Sequence, residues 1–352
     1  MSLVELSIRD LRCLEQAELT LDPHRNLIWG ANGAGKTSVL EAIFLLGRGR
    51  SFRTRNSERL IRQGSSSMTV FGRLDTLPVG GIGVQVSRSG GTVAHLRGAP
   101  ATSLTDLTQV FPVQVIDPGV HKLVEEGGHR RRRWLDWAVF HVEPGFAAQW
   151  VRYNRTLKQR NAALRQPGHD TGPWDVELAR LGVSISQSRR GVMTSLAPVW
   201  ISTVQSLTDL EIDLTYYQGW SADHTLEQAL AQSQARDVAR GLTHSGPHRA
   251  DVLVRVGGKA AREVLSRGQQ KLAAVAMILS QIRLLQDSLG TQPSLLLDDP
   301  AAELDALHLR RFIDAVQPLR CQLVLTSLQP GADLFGRPDK TFHVERGHVN
   351  PV

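Results

Sequence analysis

The chain opens with alternation. Val4, Leu6 and Ile8 interleave with polar residues, Leu19 and Leu21 resume the pattern, and "DPHRN" ends it. A period of two with turn residues at its end predicts a strand pair. "LIWGANGAGKTSVLEAIFLLG" then predicts a short strand, a Gly-rich turn and an apolar helix. Between about 68 and 115 the runs "MTVFGRL", "IGVQVSR", "TVAHLRG" and "VFPVQVI" read as further strands, punctuated by Gly and Pro. Helical spacing takes over from 121 to 240. Tyr153, Leu157 and Leu164 share one face, as do Leu178, Leu181, Ile185, Val192, Leu196 and Val199. "QPGHDTGPW" at 166–174 separates the two stretches as a loop. Strand-like "ADVLVRV" (250–256) follows. Next comes a helix with Leu272, Val275, Leu279, Ile282 and Leu285 on one face, with Ser266 as its natural N-cap. The strand "SLLLDD", a helix from about 303 to 316, the strand "QLVLTS" and "TFHVERGHV" complete the chain.

This order predicts an α/β nucleotide-binding domain built from both ends of the chain, 1–118 and 241–352. A mainly helical lobe, 119–240, is inserted between them. No repeat, low-complexity tract or sustained heptad pattern interrupts it.

Two segments carry chemistry. "GANGAGKT", Gly30 to Thr37, matches the phosphate-binding pattern G-x-x-x-x-G-K-[ST] between a strand and a helix. Gly30, Gly33 and Gly35 permit backbone turns that aim N–H groups of Ala31, Asn32, Ala34 and their neighbours at one point. Lys36 adds charge at the β/γ-phosphates, and the Thr37 hydroxyl, with Ser38 behind it, is placed for Mg²⁺. "SLLLDDP" delivers Asp298 at the end of an apolar strand as the second Mg²⁺ residue. Asp299 follows it as the acid that polarises an attacking water. The implied ligands are a nucleoside triphosphate, whose base the motif does not identify, and Mg²⁺.

Composition adds a partner class. Of the 352 residues, 41 are Lys or Arg against 34 Asp or Glu, giving +7, and only six of the cations are Lys. Arg suits bidentate phosphate contacts, so the balance favours a polyanion. "EEGGHRRRRWLDWAVF" concentrates Arg130, Arg131, Arg132 and Arg133. Arg50, Arg53 and Arg55 lie just beyond the phosphate-loop helix. Consecutive helical residues splay by about 100°, so the four Arg cannot all face one surface; some pair with Glu125, Glu126 or Asp136. On "YNRTLKQRNAALR", Arg155, Lys158 and Arg160 are further candidates for DNA, beside a core role for that helix. No zinc-ligand spacing or aromatic stacking platform occurs, and His248 and the other His read as structural. Cys13 and Cys321, far apart, fit a reducing compartment. The start lacks a signal-peptide pattern and no run approaches about 20 apolar residues. The expected location is cytoplasmic and nucleoid-associated.

The ordered triple of phosphate loop, Ser266-x-Gly268-Gln269 at a helix mouth, and Leu-Leu-Leu-Asp298-Asp299 resembles the head domain of ABC-type ATPases. There, Ser266, Gly268 and Gln269 would form the signature motif that reads the ATP held by a second head across a two-fold axis. "AAELD" matches the following loop and places Asp305 near the dimer seam. "LEAIFLLGRGRSFRTRNSERLIRQG", "RRRRWLDW", "YNRTLKQRNAALR" and "GPHRAD" narrow the resemblance to the RecF family of DNA repair proteins, in order over almost the whole chain. The resemblance implies an ABC/SMC-like P-loop head without a long coiled coil and an ATP-dependent homodimer on double-stranded or gapped DNA. It also implies slow ATP hydrolysis, and work with RecR, RecO and RecA at gaps. An ABC-type subunit of a membrane transporter is the alternative; such ATPases carry a switch His where this chain has Thr326 and Ser327. Asp299 stands where most ABC-type heads carry Glu, and Ala250 where the family motif carries Asp. Arg267 has no role in this reading.

Overall fold

The computed structural model describes residues 2–76, 81–101, 104–166, 168, 170–302, 304–330 and 334–352. The predicted loop residues Pro167 and His169, and Glu303 of "AAELD", lie outside the described residues. The chain divides into two compact units. One is Met1–Val120 with Leu285–Val352; the other is His121–Leu284.

Among the described residues the first unit holds two six-stranded sheets. In one, Leu3–Leu11 lies between Leu14–Thr20 and Ser67–Leu74, and Ile82–Ser87, Gly91–Leu96 and Ala99–Pro100 follow in order, all antiparallel. Leu6 and Ile8 are buried as the alternation predicts, but Val4 is half-buried and Leu3 takes the core place instead, because the pairing with Ser67–Leu74 shifts register between Leu3 and Glu5. The other sheet runs His348–Pro351, Lys340–Glu345, Arg25–Trp29, Gln322–Ser327, Ser294–Leu297, Val113–Ile116. Its last five strands are parallel. "VFPVQVI" therefore joins the parallel sheet, not the antiparallel one, because the helix Leu104–Val110 carries the chain across first.

The helix Lys36–Arg48 is buried along most of its length, including Val39, Leu40, Ile43 and Leu46. Small residues let it pack closely. A Cβ on Gly47 would lie 2.3 Å from the Phe111 carbonyl oxygen, and one on Gly72 would lie 2.5 Å from Leu46 Cδ1. The antiparallel strand Ser67–Leu74 and the parallel-sheet entry at Phe111–Val113 thus both touch this one helix.

The second unit is mainly helical: Gly128–Val142, Phe146–Ala163, Gly172–Leu207 and Leu226–Arg240, beside a three-stranded sheet ordered Lys259–Ala260, Asp251–Val256, Asp213–Tyr217. The sequence reading ends the lobe at 240. Asp251–Val256 pairs with Asp213–Tyr217, and this pairing keeps the following chain in the unit as far as Leu284. Its helices end in ordinary ways: Thr225 and Gln228 form a reciprocal capping box, and Gly241 closes that helix in a left-handed conformation. The fold is an α/β P-loop head with a mainly helical second unit. Among the described residues no helix extends as a long coiled coil; the longest, of 36 residues, packs against its neighbours Phe146–Ala163 and Gly128–Val142.

The helix Arg267–Leu289 is long and apolar enough to cross a membrane, where the sequence reading found no such run. Its most apolar window is 72% buried inside the protein, and its polar Ser280 and Gln281 are fully buried, bonded to Ala276 O and Trp134 O. It is a core helix by these contacts.

Candidate functional site

Three parallel strands end side by side. Arg25–Trp29 leads into the Gly30–Thr37 loop, Ser294–Leu297 leads into Asp298, and Gln322–Ser327 lies between them. Gly30 starts the turn at φ +155°, where a Cβ would sit 2.2 Å from the Val344 carbonyl oxygen. Gly33 and Gly35 follow at φ +77° and +121°, positions where L side chains are strained. This alternation curls the loop backbone into a concavity of the kind that holds phosphate oxygens on N–H groups. Ala31, Asn32 and Gly33 are exposed, whereas Ala34, Gly35, Lys36 and Ser38 are buried.

Lys36 folds back over the loop, its Nζ donating to the carbonyls of Gly30 at 2.6 Å and Ala31 at 3.1 Å. Burial pushes its ammonium below the usual lysine range; Asp299 and Asp298 pull it back up. Thr37 Oγ1 lies 3.0 and 3.1 Å from the two carboxylate oxygens of Asp298. Ser38 turns instead toward Cys13, its Oγ 4.0 Å from Sγ, so Thr37 supplies the hydroxyl on the acid side. A hydroxyl, a carboxylate and an ammonium beside a curled backbone form a donor set of hard oxygens and one cation, and this set fits Mg²⁺ with a triphosphate.

Sequence reasoning treated Thr326 only as the residue standing near a missing His. In the structure its Oγ1 donates to Asp298 Oδ1 at 3.0 Å and accepts the Asp299 N–H at 2.9 Å. Asp299 itself has φ +48°. A second residue escaped notice. Glu41, on the phosphate-loop helix, has a fully buried side chain held by Arg12 through two hydrogen bonds of 3.0 Å and by Ser51 Oγ. Arg53 Nη1 stands 3.7 Å from the same carboxylate. The only sequence signal for this was a charged residue in an apolar helical run.

The Ser266–Gln269 stretch lies in the second unit. Ser266 caps its helix: its Oγ accepts the Gln269 N–H at 3.3 Å, and Gln269 Oε1 accepts the Ser266 N–H at 2.9 Å. Ser266 and Gly268 are exposed, and a Cβ on Gly268 would meet nothing within 4 Å. Arg267 finds a partner after all, with Nη2 3.3 Å from Nε2 of the buried His121. Asp305 caps the helix Ala306–Val316, accepting the His308 N–H at 3.0 Å and the His308 imidazole. Both bonds hold its carboxyl below the usual range.

The cationic candidates divide sharply. Arg131 is buried: its guanidinium grips Asp251 through two bonds of 2.9 Å and also donates to the carbonyls of Leu123, Val124 and Glu126. It is therefore no longer a candidate for contact with DNA. The same holds for Arg160, fully buried among Asp175, Asp237, Thr243 and Gln234. Arg132 donates to the Ala250 carbonyl at 2.7 Å, and Arg130 pairs with Glu126 one turn away. Arg50, Arg53, Arg55, Arg130, Arg133, Arg155 and Lys158 are exposed. Ala250 is 1% exposed, while its neighbour Asp251 carries the ion pair to Arg131. His248 is structural, as expected. Nδ1 lies 2.7 Å from the Tyr153 hydroxyl and Nε2 lies 3.0 Å from the Thr243 carbonyl, so Nε2 carries the proton and Nδ1 accepts.

Comparison with known proteins identifies the family and the fold. Residues 2–346 match the family described as RecF/RecN/SMC N terminal domain. A DNA replication and repair protein RecF of Pseudomonas syringae pv. syringae is 40% identical over 99% of this chain and 98% of its own length. Among solved structures, a recombination mediator protein RecF-ATP of the RecFOR pathway superposes with a TM-score of 0.90 at 26% identity, covering 100% of this chain and 97% of that one. An Smc head bound to the C-winged helix domain of ScpA shares the fold, with a TM-score of 0.60 at 14% identity over 100% of this chain and 98% of that one. The chain belongs to the RecF family of DNA replication and repair proteins.

Proposed function

We propose that this chain is an ATP-switched DNA-binding protein of recombinational repair. The observation that carries this reading is the Thr37–Asp298 contact at 3.0 and 3.1 Å, which joins the two motifs across 261 residues beside a curled, Lys-bearing loop. ATP would be held by the backbone of residues 30–38 and Lys36, and Thr37 and Asp298 would hold Mg²⁺. That ion would supply charge neutralisation at the β/γ-phosphates. Asp299 orients a water; being one methylene shorter than Glu, it makes turnover slow. ATP hydrolysis then acts as a timer.

Ser266, Gly268 and Gln269 complete the site of a second copy, with Asp305 near the seam, so ATP drives an isologous homodimer. Exposure of the Ser266–Gly268 cap and the open space at Gly268 support this. DNA, double-stranded or gapped, is met through exposed Arg residues, among them Arg50, Arg53, Arg55, Arg130 and Arg133. The kinship to RecF-ATP of the RecFOR pathway supports RecR as a direct partner, with RecO and RecA downstream in recombinase loading.

Light scattering with ATP tests the switch. Lys36→Met is expected to lose ATP binding, and Ser266→Arg to keep ATP while staying monomeric. A dimer that persists in Ser266→Arg would overturn the contact in trans.

A further inference from the structure

The strand Gln322–Ser327 contributes no residue to either motif, yet its penultimate residue stands at the centre of the site. Thr326 is 1% exposed. A threonine hydroxyl has one proton and two lone pairs. Among the described residues the carboxylate its proton meets is Asp298, at Oδ1 3.0 Å away; the Leu297 carbonyl, at 3.5 Å, is the longer alternative. Its oxygen accepts the Asp299 N–H at 2.9 Å. That N–H points at Thr326 while Asp299 has φ +48°, a left-handed conformation that costs an L residue free energy unless its surroundings hold it. Asp298 is thereby gripped from two sides, by Thr37 of the phosphate loop and by Thr326 of the strand between.

We propose that Thr326 is a positioning residue for both acids at once. It fixes the Asp298 carboxylate in the rotamer that faces Thr37, and it fixes the Asp299 backbone so that the Asp299 side chain leaves the strand end in a single direction. The inference rests on the reading of the site as one for ATP with Mg²⁺. Val, isosteric with Thr, removes the hydroxyl and leaves an unsatisfied Asp299 N–H and a carboxylate short of one donor. Ser retains the hydroxyl.

The test uses the full chain as wild type, Thr326→Val and Thr326→Ser. A fluorescent ATP analogue reports binding in EDTA and across a Mg²⁺ titration, a thermal melt reports folding, and single-turnover cleavage of ATP reports chemistry. Loss of one hydrogen bond to a charged group is expected to raise the Mg²⁺ concentration for half-maximal binding about tenfold in Thr326→Val. Cleavage is expected to slow by at least as much, with binding in EDTA unchanged. Thr326→Ser is expected to recover both to within about twofold. In a cycle with Asp298→Asn, Thr326→Val is expected to add little to the Mg²⁺ effect, because it acts through that carboxylate. If Thr326→Val melts well below the wild type, Thr326→Ala replaces it in the same cycle.

Mg²⁺ dependence identical to wild type in the hydroxyl-less variant, loss that Ser does not rescue, or full additivity with Asp298→Asn would each overturn the positioning role. Wild-type protein that binds ATP with no response to Mg²⁺ would instead overturn the reading of the site, and the inference with it.

Discussion

His248 sits among charges yet stays neutral, and its surroundings explain why. Burial strips the imidazolium of water, and Arg249 and Arg132 repel it, while the Thr243 carbonyl and Asp237 favour it too weakly to compensate; its pKa falls to about 4. A base whose folded pKa is depressed loses stability as pH falls. From pH 6.5 down to about 4 the unfolded chain takes up a proton that the folded chain refuses. At 1.36 kcal/mol per unit, this amounts to about 3 kcal/mol across that window. Melting temperature measured from pH 7.5 to 4.5 is expected to fall more steeply in wild type than in His248→Gln, whose amide titrates nowhere in that range. Equal slopes would show that another group governs the acid limb. Arg189 makes a related point: it is fully buried, pairs with Asp136 at 2.8 Å and stacks over Trp150 at 5.0 Å. Burial of a guanidinium is tolerated there because three of its N–H groups donate to the Asp136 carboxylate and the Pro247 carbonyl, and its flat face lies over the Trp150 ring.

Elements owe their placement to a few such contacts. The bidentate Arg131–Asp251 pair ties the helix Gly128–Val142 to the strand Asp251–Val256, and Gly128 approaches so closely that a Cβ there would lie 2.7 Å from Asp251 Cγ. Removing one partner strands the other charge, so Asp251→Ala is expected to cost about 3–5 kcal/mol in a denaturant melt. Arg130→Ala, at an exposed pair, is expected to cost less than about 1 kcal/mol. Similar losses from both would remove the distinction drawn between these neighbours. At the phosphate loop, Gly30→Ala is expected to destabilise the strand–helix turn and abolish ATP binding together, because the Val344 carbonyl already fills the space of a Cβ. What could be read from sequence follows from this. The loop, its helix and the Asp298 strand were legible because their spacings are local and their residue types have few other uses. Thr326 was not, because its partner Asp298 lies 28 residues away on a neighbouring strand, and nothing in "QLVLTS" tells which hydroxyl faces it. Arg160 was misjudged for the same reason: off the Tyr153, Leu157 and Leu164 face it reads as a candidate for DNA, but its partners come from as far as Thr243, 83 residues on. Helical splay showed that Arg130–Arg133 could not act alike, without showing that Asp251 would choose Arg131.

At the scale of the molecule, this division of the arginines decides how DNA binding can be tested. Changing Arg130–Arg133 all to Ala would remove the Asp251 partner and the Leu123, Val124 and Glu126 carbonyl contacts along with any phosphate contact, so a loss of binding would report unfolding of the second unit. The informative variants spare Arg131. Arg130→Ala/Arg133→Ala and, separately, Arg50→Ala/Arg55→Ala change exposed cations and leave the buried pairs intact. If each Arg contacts one phosphate of a duplex, each releases close to one counterion, and each lost contact lowers the slope of log affinity against log salt by about 0.9. A double variant is therefore expected to flatten the slope by about two, in the ATP state, with a melting temperature close to wild type, because exposed pairs such as Arg130–Glu126 add little stability, and with no dependence on base sequence. A variant whose slope matches wild type places its two arginines outside the interface. A loss of affinity without a change of slope would mean that they act through the protein and not on the phosphates. Measuring the same slopes with ADP separates the two patches further: contacts that require the dimer vanish with ATP, whereas contacts made by a single copy persist.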